Sequence, residues 1–187
     1  QSPRPKKGDQ AFEFDLRFTN LGPVARIFMP DFLALDSSAY LKGRFDSAEK
    51  QLELTGVFPN VELRGARADS LLISLNGNRQ RIESSMKLWR FNYGGTFYAP
   101  LLDFTTRMSA DTLRFGVSIL DDYLKPNFRW GGSSTKSDAQ YQLAFDPELM
   151  LNREIWAIDE KNRTYFSRKT LAINDLIFAK NDQSISV

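Results

Sequence analysis

Few residues in this chain could do bond-making chemistry, and two useful types are missing. The 187 residues contain no histidine and no cysteine, which removes the commonest general base, the thiol nucleophile and the softest metal ligands. Adjacent acidic residues occur only at Asp121-Asp122 and Asp159-Glu160. A catalytic carboxylate pair must be held across a cleft by distant parts of the chain, whereas acidic residues at a strand end usually serve a turn. We therefore predict a non-enzymatic protein with no catalytic residues, no cofactor and no metal.

The aromatic and basic residues suggest two binding functions. Trp89, Trp130 and Trp156 could form a platform for sugar rings, although aromatic side chains more often fill the core or edge of a sheet. Residues 89–93 mix Arg90 with aromatic residues, as proteins that bind single-stranded nucleic acid do. However, 25 basic and 23 acidic residues give a net charge of +2, which is too small a basic excess for a nucleic-acid groove. We predict no nucleic-acid partner.

Strict alternation of apolar and polar residues dominates the chain and predicts β-strands. It begins in residues 12–19 and has the period of two that is typical of a sheet with one apolar and one wet face. The polar positions are as regular as the apolar ones, which favours a sheet with one face in water. The apolar positions are the candidate site residues: Phe12, Phe14, Leu16, Phe18, Leu41, Phe45, Leu52, Leu54, Leu71, Ile73, Leu75, Ile82, Leu88, Leu113, Phe115, Val117, Ile119, Tyr141, Leu143 and Phe145.

Turn residues divide the alternating segments into hairpins. Asn76-Gly77 is the strongest hairpin signal, because a type I′ turn needs positive φ at both central residues. Gly94-Gly95 and Gly131-Gly132 are interpreted as turn glycines, since neither has the spacing or the following helix of a phosphate loop. Residues 121–138 are predicted to be a long irregular stretch. The predicted strands cover residues 10–19, 39–46, 51–58, 61–63, 68–75, 80–91, 96–99, 101–109, 113–120, 139–145, 155–159, 165–167, 170–178 and 183–187.

One segment has helical spacing. Leu21, Val24, Ile27 and Phe28 fall on one helical face, and Pro30 would end the helix. We expect one short helix near residues 21–29, a linker over residues 1–9, and a single β domain over residues 10–187. The alternation continues up to Val187, which suggests a segment of a longer protein.

These features predict an all-β fold with short connections. Neighbouring strands joined by short turns should pair in an antiparallel meander. We expect a curled, elongated sheet whose apolar face forms a groove. The alternative is a two-sheet β-sandwich, in which a second sheet would cover the same apolar face.

Three segments resemble the TamB family, the translocation and assembly module proteins of Gram-negative envelopes, in the version found in Bacteroidetes-type bacteria. They consist of strand and turn residues and together span most of the chain. They are Phe28-Met29-Pro30-Asp31-Phe32-Leu33 with Ala39–Ser47; Leu52-Glu53-Leu54 through Asp69-Ser70-Leu71 and Asn76-Gly77-Asn78; and Trp156-Ala157-Ile158 with Leu171–Leu176 and Gln183–Val187.

The resemblance implies an internal segment of a periplasmic protein that a helix outside this chain anchors in the inner membrane. Family members are AsmA-like and share a curled hydrophobic groove, the β-taco. They are implicated in phospholipid transport to the outer membrane and in outer-membrane protein assembly. The implied partners are phospholipid acyl chains, neighbouring segments of the parent protein, and an outer-membrane barrel protein reached through regions absent here.

Two other functions remain open at this point. The chain could be a non-catalytic envelope scaffold or protein-interaction domain with a closed core. It could also be a carbohydrate-binding β domain built around the tryptophans. An open apolar face would expose much more apolar surface than the few hundred Å² that is usual on a monomer, whereas a closed sandwich would bury it.

Overall fold

A computed structural model describes residues 10–20, 23, 34–35, 38–137, 140–167, 171–174 and 176–186. Within these ranges the chain is almost entirely β-structure in one antiparallel sheet. The strands are β1 (Ala11–Phe18), β2 (Ala34–Leu35), β3 (Ala39–Asp46), β4 (Gln51–Leu63), β5 (Ala66–Gly77), β6 (Arg81–Tyr93), β7 (Phe97–Ser109), β8 (Thr112–Leu120), β9 (Pro126–Ser137), β10 (Gln140–Phe145), β11 (Glu148–Leu151), β12 (Glu154–Ile158), β13 (Arg163–Phe166), β14 (Leu171–Asn174), β15 (Ile177–Lys180) and β16 (Gln183–Ser186).

The sheet is an open meander, as predicted. Strand β1 pairs with β3, and β3 to β9 follow in chain order, while the short β2 pairs with the far end of β4. The edges at β1 and β16 are not paired with each other, so the sheet is not closed. The sequence therefore predicted the fold class correctly.

The sheet is a single layer. The chain exposes 13587 Å², whereas a compact protein of this mass would expose about 9,100 Å². Only seven apolar residues of the described part are buried, and three of them are alanines. A two-sheet sandwich would bury a large set of inward-facing side chains. The described strands form one sheet, so the sandwich alternative is wrong.

Beyond β9 the meander continues as long strands that are interrupted in the middle. Strands β10 and β11 lie along the same edge of β9, and they are separated by Asp146-Pro147. Their partners are β13 and β12, which residues 159–162 separate. The next strand is likewise divided into β14 and β15. The up-and-down order is therefore kept, although the hydrogen-bond ladder breaks at each interruption.

Asn162 stabilises this break in the ladder. It is the most fully buried large side chain of the described residues, at 2% exposure. Its Oδ1 accepts the backbone N–H of Phe145 at 2.8 Å, and its Nδ2 donates to the carbonyl oxygen of Asp159 at 2.6 Å. Buried backbone groups need partners, and the amide of Asn162 supplies them where the strands do not. Asn162 opens the sequence Asn162-Arg163-Thr164 and is inaccessible in the folded chain.

A second irregularity crosses the sheet near one end of β4 to β7. Asn60 and Arg90 have left-handed φ values of 50° and 49°. Pro100 lies opposite Arg90 on the neighbouring strand, but the two residues are not paired in the ladder. Left-handed residues inside strands are uncommon and disturb the regular alternation of side chains. As a result Val61 packs with Phe58 and Ala39 in a small buried cluster. The irregularity at Asn60 thus places Val61 on the same side of the sheet as Phe58.

Three local predictions were wrong. The hairpin between β5 and β6 exists, but its turn lies at residues 78–80, where the Oδ1 of Asn78 accepts the backbone N–H groups of Gln80 and Arg81 at 2.9 and 3.0 Å. Gly77 belongs to β5 and forms no part of that turn. The stretch 121–138, predicted to be irregular, contains β9, so Gly131-Gly132 lies inside a strand.

Smaller differences concern strand boundaries. Strand β7 is continuous through Pro100, where a break was predicted, and β11 was not predicted at all. Residues 170–178 hold parts of two strands in place of one. The predicted helix near residues 21–29 and the linker at 1–9 lie outside the described residues, except for Pro23.

We expect Gly132→Ala to destabilise the protein because β9 is closely packed against its neighbours. A Cβ at Gly132 would lie 2.5 Å from the carbonyl oxygen of Ala144 and 3.0 Å from the ring of Phe115. Because the first contact is with backbone, relief needs a strand shift, which should cost about 1–3 kcal/mol. Urea denaturation checks this.

The matched control is Gly116→Ala on the adjacent strand. Its added Cβ would meet only the hydroxyl of Thr105 at 3.0 Å, and that side chain can rotate away. An equal loss of stability in both variants would contradict the packing argument.

Candidate functional site: the apolar face

The strand register places the candidate residues on a single face of the sheet. Residues that pair directly across antiparallel strands have their side chains on the same side. One continuous row runs across eight strands: Leu16, Leu41, Gly56, Ile73, Met86, Phe104, Val117 and Trp130. The parallel rows extend this pattern, and all twenty predicted residues, from Phe12 in β1 to Phe145 in β10, belong to this side. We call it the apolar face.

The register also adds residues that sequence reasoning did not select. They lie in the same cross-strand rows as the predicted residues. Most belong to strands whose alternation was unclear, or to segments that were predicted to be irregular. They are Phe58, Met86, Leu102, Phe104, Met108, Phe128, Trp130, Leu149, Leu151, Trp156, Phe166, Ile173, Phe178 and Ile185. In β9 the alternation of Phe128 and Trp130 was a usable signal. It was obscured because Gly132 and Ser134 continue the same face without apolar side chains.

The apolar face remains accessible in the structure. None of the twenty predicted residues is buried: each is half-buried or exposed. Phe12 is 57% exposed and Ile82 is 42% exposed, whereas residues near mid-strand such as Ile73 are half-buried by their neighbours. Accessible apolar surface on this scale is unusual for a monomer and marks an interaction surface.

Aromatic contacts and satisfied polar groups keep the apolar face continuous. The rings of Trp130 and Phe145 stack with centroids 4.5 Å apart, and those of Tyr141 and Phe166 stack at 5.2 Å. The hydroxyls of Ser84 and Thr106, which interrupt one row, hydrogen-bond to each other at 2.7 Å. These polar atoms are therefore paired within the face.

The opposite side is a polar face that carries cross-strand ion pairs. Lys42 lies 3.5 Å from Glu13, the guanidinium of Arg107 lies 2.6 Å from Glu83, and that of Arg114 lies 2.9 Å from Asp146. Such exposed pairs contribute at most about 1 kcal/mol each. Their main consequence is that they define which side of the sheet is in water.

Several open concavities of the described residues are lined mainly by side chains of the polar face. Two of them, about 530 and 470 Å³ in volume, share Thr105 and Gly116 in their walls. Small side chains form the floor because a row of short residues crosses the sheet there: Thr55, Ser74, Ser85, Thr105, Gly116 and Gly131. A floor of hydroxyls and glycines offers little hydrocarbon contact, so the apolar surface is the broad opposite face.

Both acidic pairs lie in turns, as predicted. The Oδ1 of Asp121 accepts the backbone N–H groups of Lys125 and Tyr123, each at 2.9 Å, and its Oδ2 accepts Arg153 at 2.6 Å. The hydrogen bond from Lys125 is the largest influence that holds the pKa of Asp121 below its usual value, and it outweighs the opposing effect of desolvation. Asp159 accepts the backbone N–H of Lys161 at 2.7 Å in the turn after β12.

The three tryptophans do not form a common platform. Trp130 and Trp156 lie on the apolar face, where Lys180 sits 5.8 Å above the ring of Trp156. Trp89 pairs with Ser70 and Leu101 on the opposite side and is 36% exposed. The sugar-platform hypothesis, which needs all three rings together, is not supported by this arrangement.

Comparison of the chain with protein-family models, curated protein sequences and solved structures finds no match. The resemblance to the TamB family therefore stays a prediction. The described residues contain no helix that is long and apolar enough to cross a membrane. The same residues contain no group of three or more acidic side chains placed to hold a metal ion.

We expect Asp121→Asn to lower the melting temperature at neutral pH without affecting function. The amide keeps an acceptor for the turn but loses the ion pair with Arg153. The pKa of Asp121 is lowered in the folded state. Its carboxylate therefore stabilises the fold at pH values above the pKa that it has in the unfolded chain. This stabilisation is lost as pH falls below about 4, so the two melting curves should converge in acid.

Asp122→Asn is the control, since it changes the neighbouring carboxylate in the same turn. It should melt like the wild type at neutral pH. The variant that combines Asp121→Asn with Asp122→Asn should still support the function of the parent protein. Loss of function in the double variant at normal protein levels would contradict the structural role and reopen a catalytic one.

Proposed function

We propose that this chain is a segment of a periplasmic envelope protein that shields phospholipid acyl chains on its apolar face. In this role it would support phospholipid transport to the outer membrane and outer-membrane protein assembly, without catalysis. The parent protein would be anchored in the inner membrane by a region outside this chain. Neighbouring segments of the parent, and an outer-membrane barrel protein contacted through other regions, would be its protein partners.

One observation carries the proposal: a continuous apolar face crosses the sheet and stays accessible. A soluble domain that used these residues only for its core would cover them with a second layer. Here Leu54, Ile73, Phe104 and Val117 lie near the middle of long strands and are still only half-buried. A ligand with a large hydrocarbon surface matches such a face, because apolar burial is non-directional and proportional to area.

The dimensions suit acyl chains. A strand of 13 residues, such as β6 or β7, is about 43 Å long at 3.3 Å per residue. One acyl chain spans about half of the 30 Å hydrocarbon core of a bilayer. A chain can therefore lie on the face in several directions, with its head group in water.

The energetics favour the same ligand. Each CH₂ group removed from water contributes about 0.8 kcal/mol, and contact with the face also removes apolar protein surface from water. Leucine, isoleucine and phenylalanine provide this contact without a specific hydrogen-bond geometry. Such a face would bind hydrocarbon chains while allowing them to slide, which a conduit requires.

We expect Leu54→Glu to weaken the binding of a fluorescent acyl-chain probe at least tenfold while the protein stays folded. The new carboxylate would lie among acyl chains, which costs several kcal/mol, but without lipid it can reach solvent because Leu54 is half-exposed. Thr55→Glu is the matched control, because the adjacent residue points to the polar face. It should bind the probe like the wild type.

Circular dichroism and urea denaturation must accompany the binding curves, and Phe115→Glu provides a second test of the face. If both apolar-face variants fail to fold, the face is a closed core in the native protein and the proposal is wrong. Mass spectrometry of the natively extracted parent protein tests the ligand directly. Recovery of phospholipid is expected, and a stably bound protein in its place would favour a scaffold.

A further inference from the structure

Exposed aromatic side chains are grouped in and beside the turns at one end of strands β6 to β9. Tyr93, Phe97 and Tyr98 flank the turn between β6 and β7, and they are 55%, 41% and 52% exposed. Tyr123 and Leu124 occupy the turn between β8 and β9, at 84% and 53%. We call these five residues the aromatic end. Exposed aromatic residues at hairpin ends are costly in water and indicate a surface that has a partner.

The opposite end of the same strands provides an internal comparison. The turns there, at residues 47–50, 78–80 and 110–111, join the same set of strands β3 to β8. They contain serine, alanine, asparagine, glutamine and charged residues but no aromatic residue. The strand residues beside those turns include the exposed Leu52, Ile82, Met108 and Leu113 but no exposed aromatic residue. The two ends of β3 to β8 therefore differ in exposed aromatic residues and not in apolar exposure.

The turns of the aromatic end form one connected surface. The backbone N–H of Gly94, in the turn between β6 and β7, donates to the carbonyl oxygen of Gly65 in the turn between β4 and β5, at 3.3 Å. Leu124 and Trp89 line the same concavity of about 490 Å³ beside Pro100. The residues of three successive hairpins can thus meet a single partner.

The charges at this end are largely neutralised. Arg67 lies 3.3 Å from Glu62, Arg90 pairs with Asp69, and Arg153 pairs with Asp121. A surface that recognised anionic lipids or nucleic acid by charge would need unpaired cations in excess. Recognition here must depend mainly on the aromatic and apolar groups.

We propose that the aromatic end docks the protein on the head-group boundary of a lipid bilayer. Tyrosine and tryptophan place an apolar ring towards hydrocarbon and a polar tip towards water, which matches the membrane interface. Leu124 adds a short apolar group that can enter the acyl region. This inference goes beyond acyl-chain shielding, because docking needs only the turns and does not require lipid on the apolar face.

The test is flotation of the whole chain with phosphatidylcholine vesicles. The variant combines Tyr123→Ser with Leu124→Asn. It should preserve the fold, since Tyr123 is almost fully exposed and Leu124 has a left-handed φ of 60°, which asparagine tolerates better than leucine. We expect the lipid concentration for half-maximal binding to rise about tenfold, the equivalent of 1.4 kcal/mol. Raising the salt concentration should change wild-type binding by less than about twofold.

Ala110→Asn is the matched control. Ala110 also has a left-handed φ, of 49°, but in a turn at the opposite end, so this variant should float like the wild type. Leu54→Glu separates the two proposals: it should lose acyl-chain probe binding but keep flotation. If only the shielding proposal is wrong, the wild type should still float, and its flotation should still depend on Tyr123 and Leu124.

Three outcomes would overturn docking by the aromatic end. The first is the absence of wild-type flotation. The second is binding that requires anionic lipid and disappears in salt, which would indicate a charged surface. The third is unchanged flotation of the Tyr123→Ser and Leu124→Asn variant. If Leu54→Glu loses flotation at the same time, the apolar face adsorbs to the bilayer in place of the aromatic end.

Discussion

The cross-strand register is the constraint on which the rest of this structure depends. Because the side-chain period of a strand is two, a slip of one residue would turn the apolar side chains of that strand to the polar face. The ladders from β1 to β9 keep their phase over most of strands of up to 13 residues, apart from the irregularity at Asn60 and Arg90 and a register shift at Ile119 and Leu120. Every other property, including the continuous apolar face and the ion pairs behind it, follows from that alignment.

A single-layer sheet has to manage problems that a sandwich does not have. Its interior residues are covered only by neighbours in the same layer, so stability depends on the ladder and on contacts along rows. The stacking of Trp130 on Phe145, the hydroxyl pair of Ser84 and Thr106, and the close approach of β10 to Gly132 are examples. Where the ladder breaks, Asn162 replaces the missing backbone partners.

The two proposed functions use different parts of this layer. The apolar face supplies area without specific geometry, which suits hydrocarbon chains. The aromatic end supplies a few amphipathic side chains at the tips of hairpins, where they can reach a surface that the strands cannot. The polar face, with its ion pairs and hydroxyl floor, keeps most of the opposite side in water, although Leu72, Trp89 and Ile155 are exposed there. The continuous apolar surface lies on one side of the sheet.

The sequence by itself determined the strand character of most of the chain and the side on which each apolar residue lies within its own strand. Both are local properties of alternation, as in Phe12 to Phe18. The tertiary structure alone decided which strand faces are joined, that β9 continues as a strand through its glycines and serines beyond Trp130, and that Asn78 makes the turn next to Asn76-Gly77. The pairing of strands depends on hydrogen bonds between distant residues, which no local pattern encodes. The Asn78 turn is made by local hydrogen bonds, but its position is set by the pairing of β5 with β6. Whether a second layer covers the face was likewise beyond the sequence, because alternation is the same in an open sheet and in a sandwich.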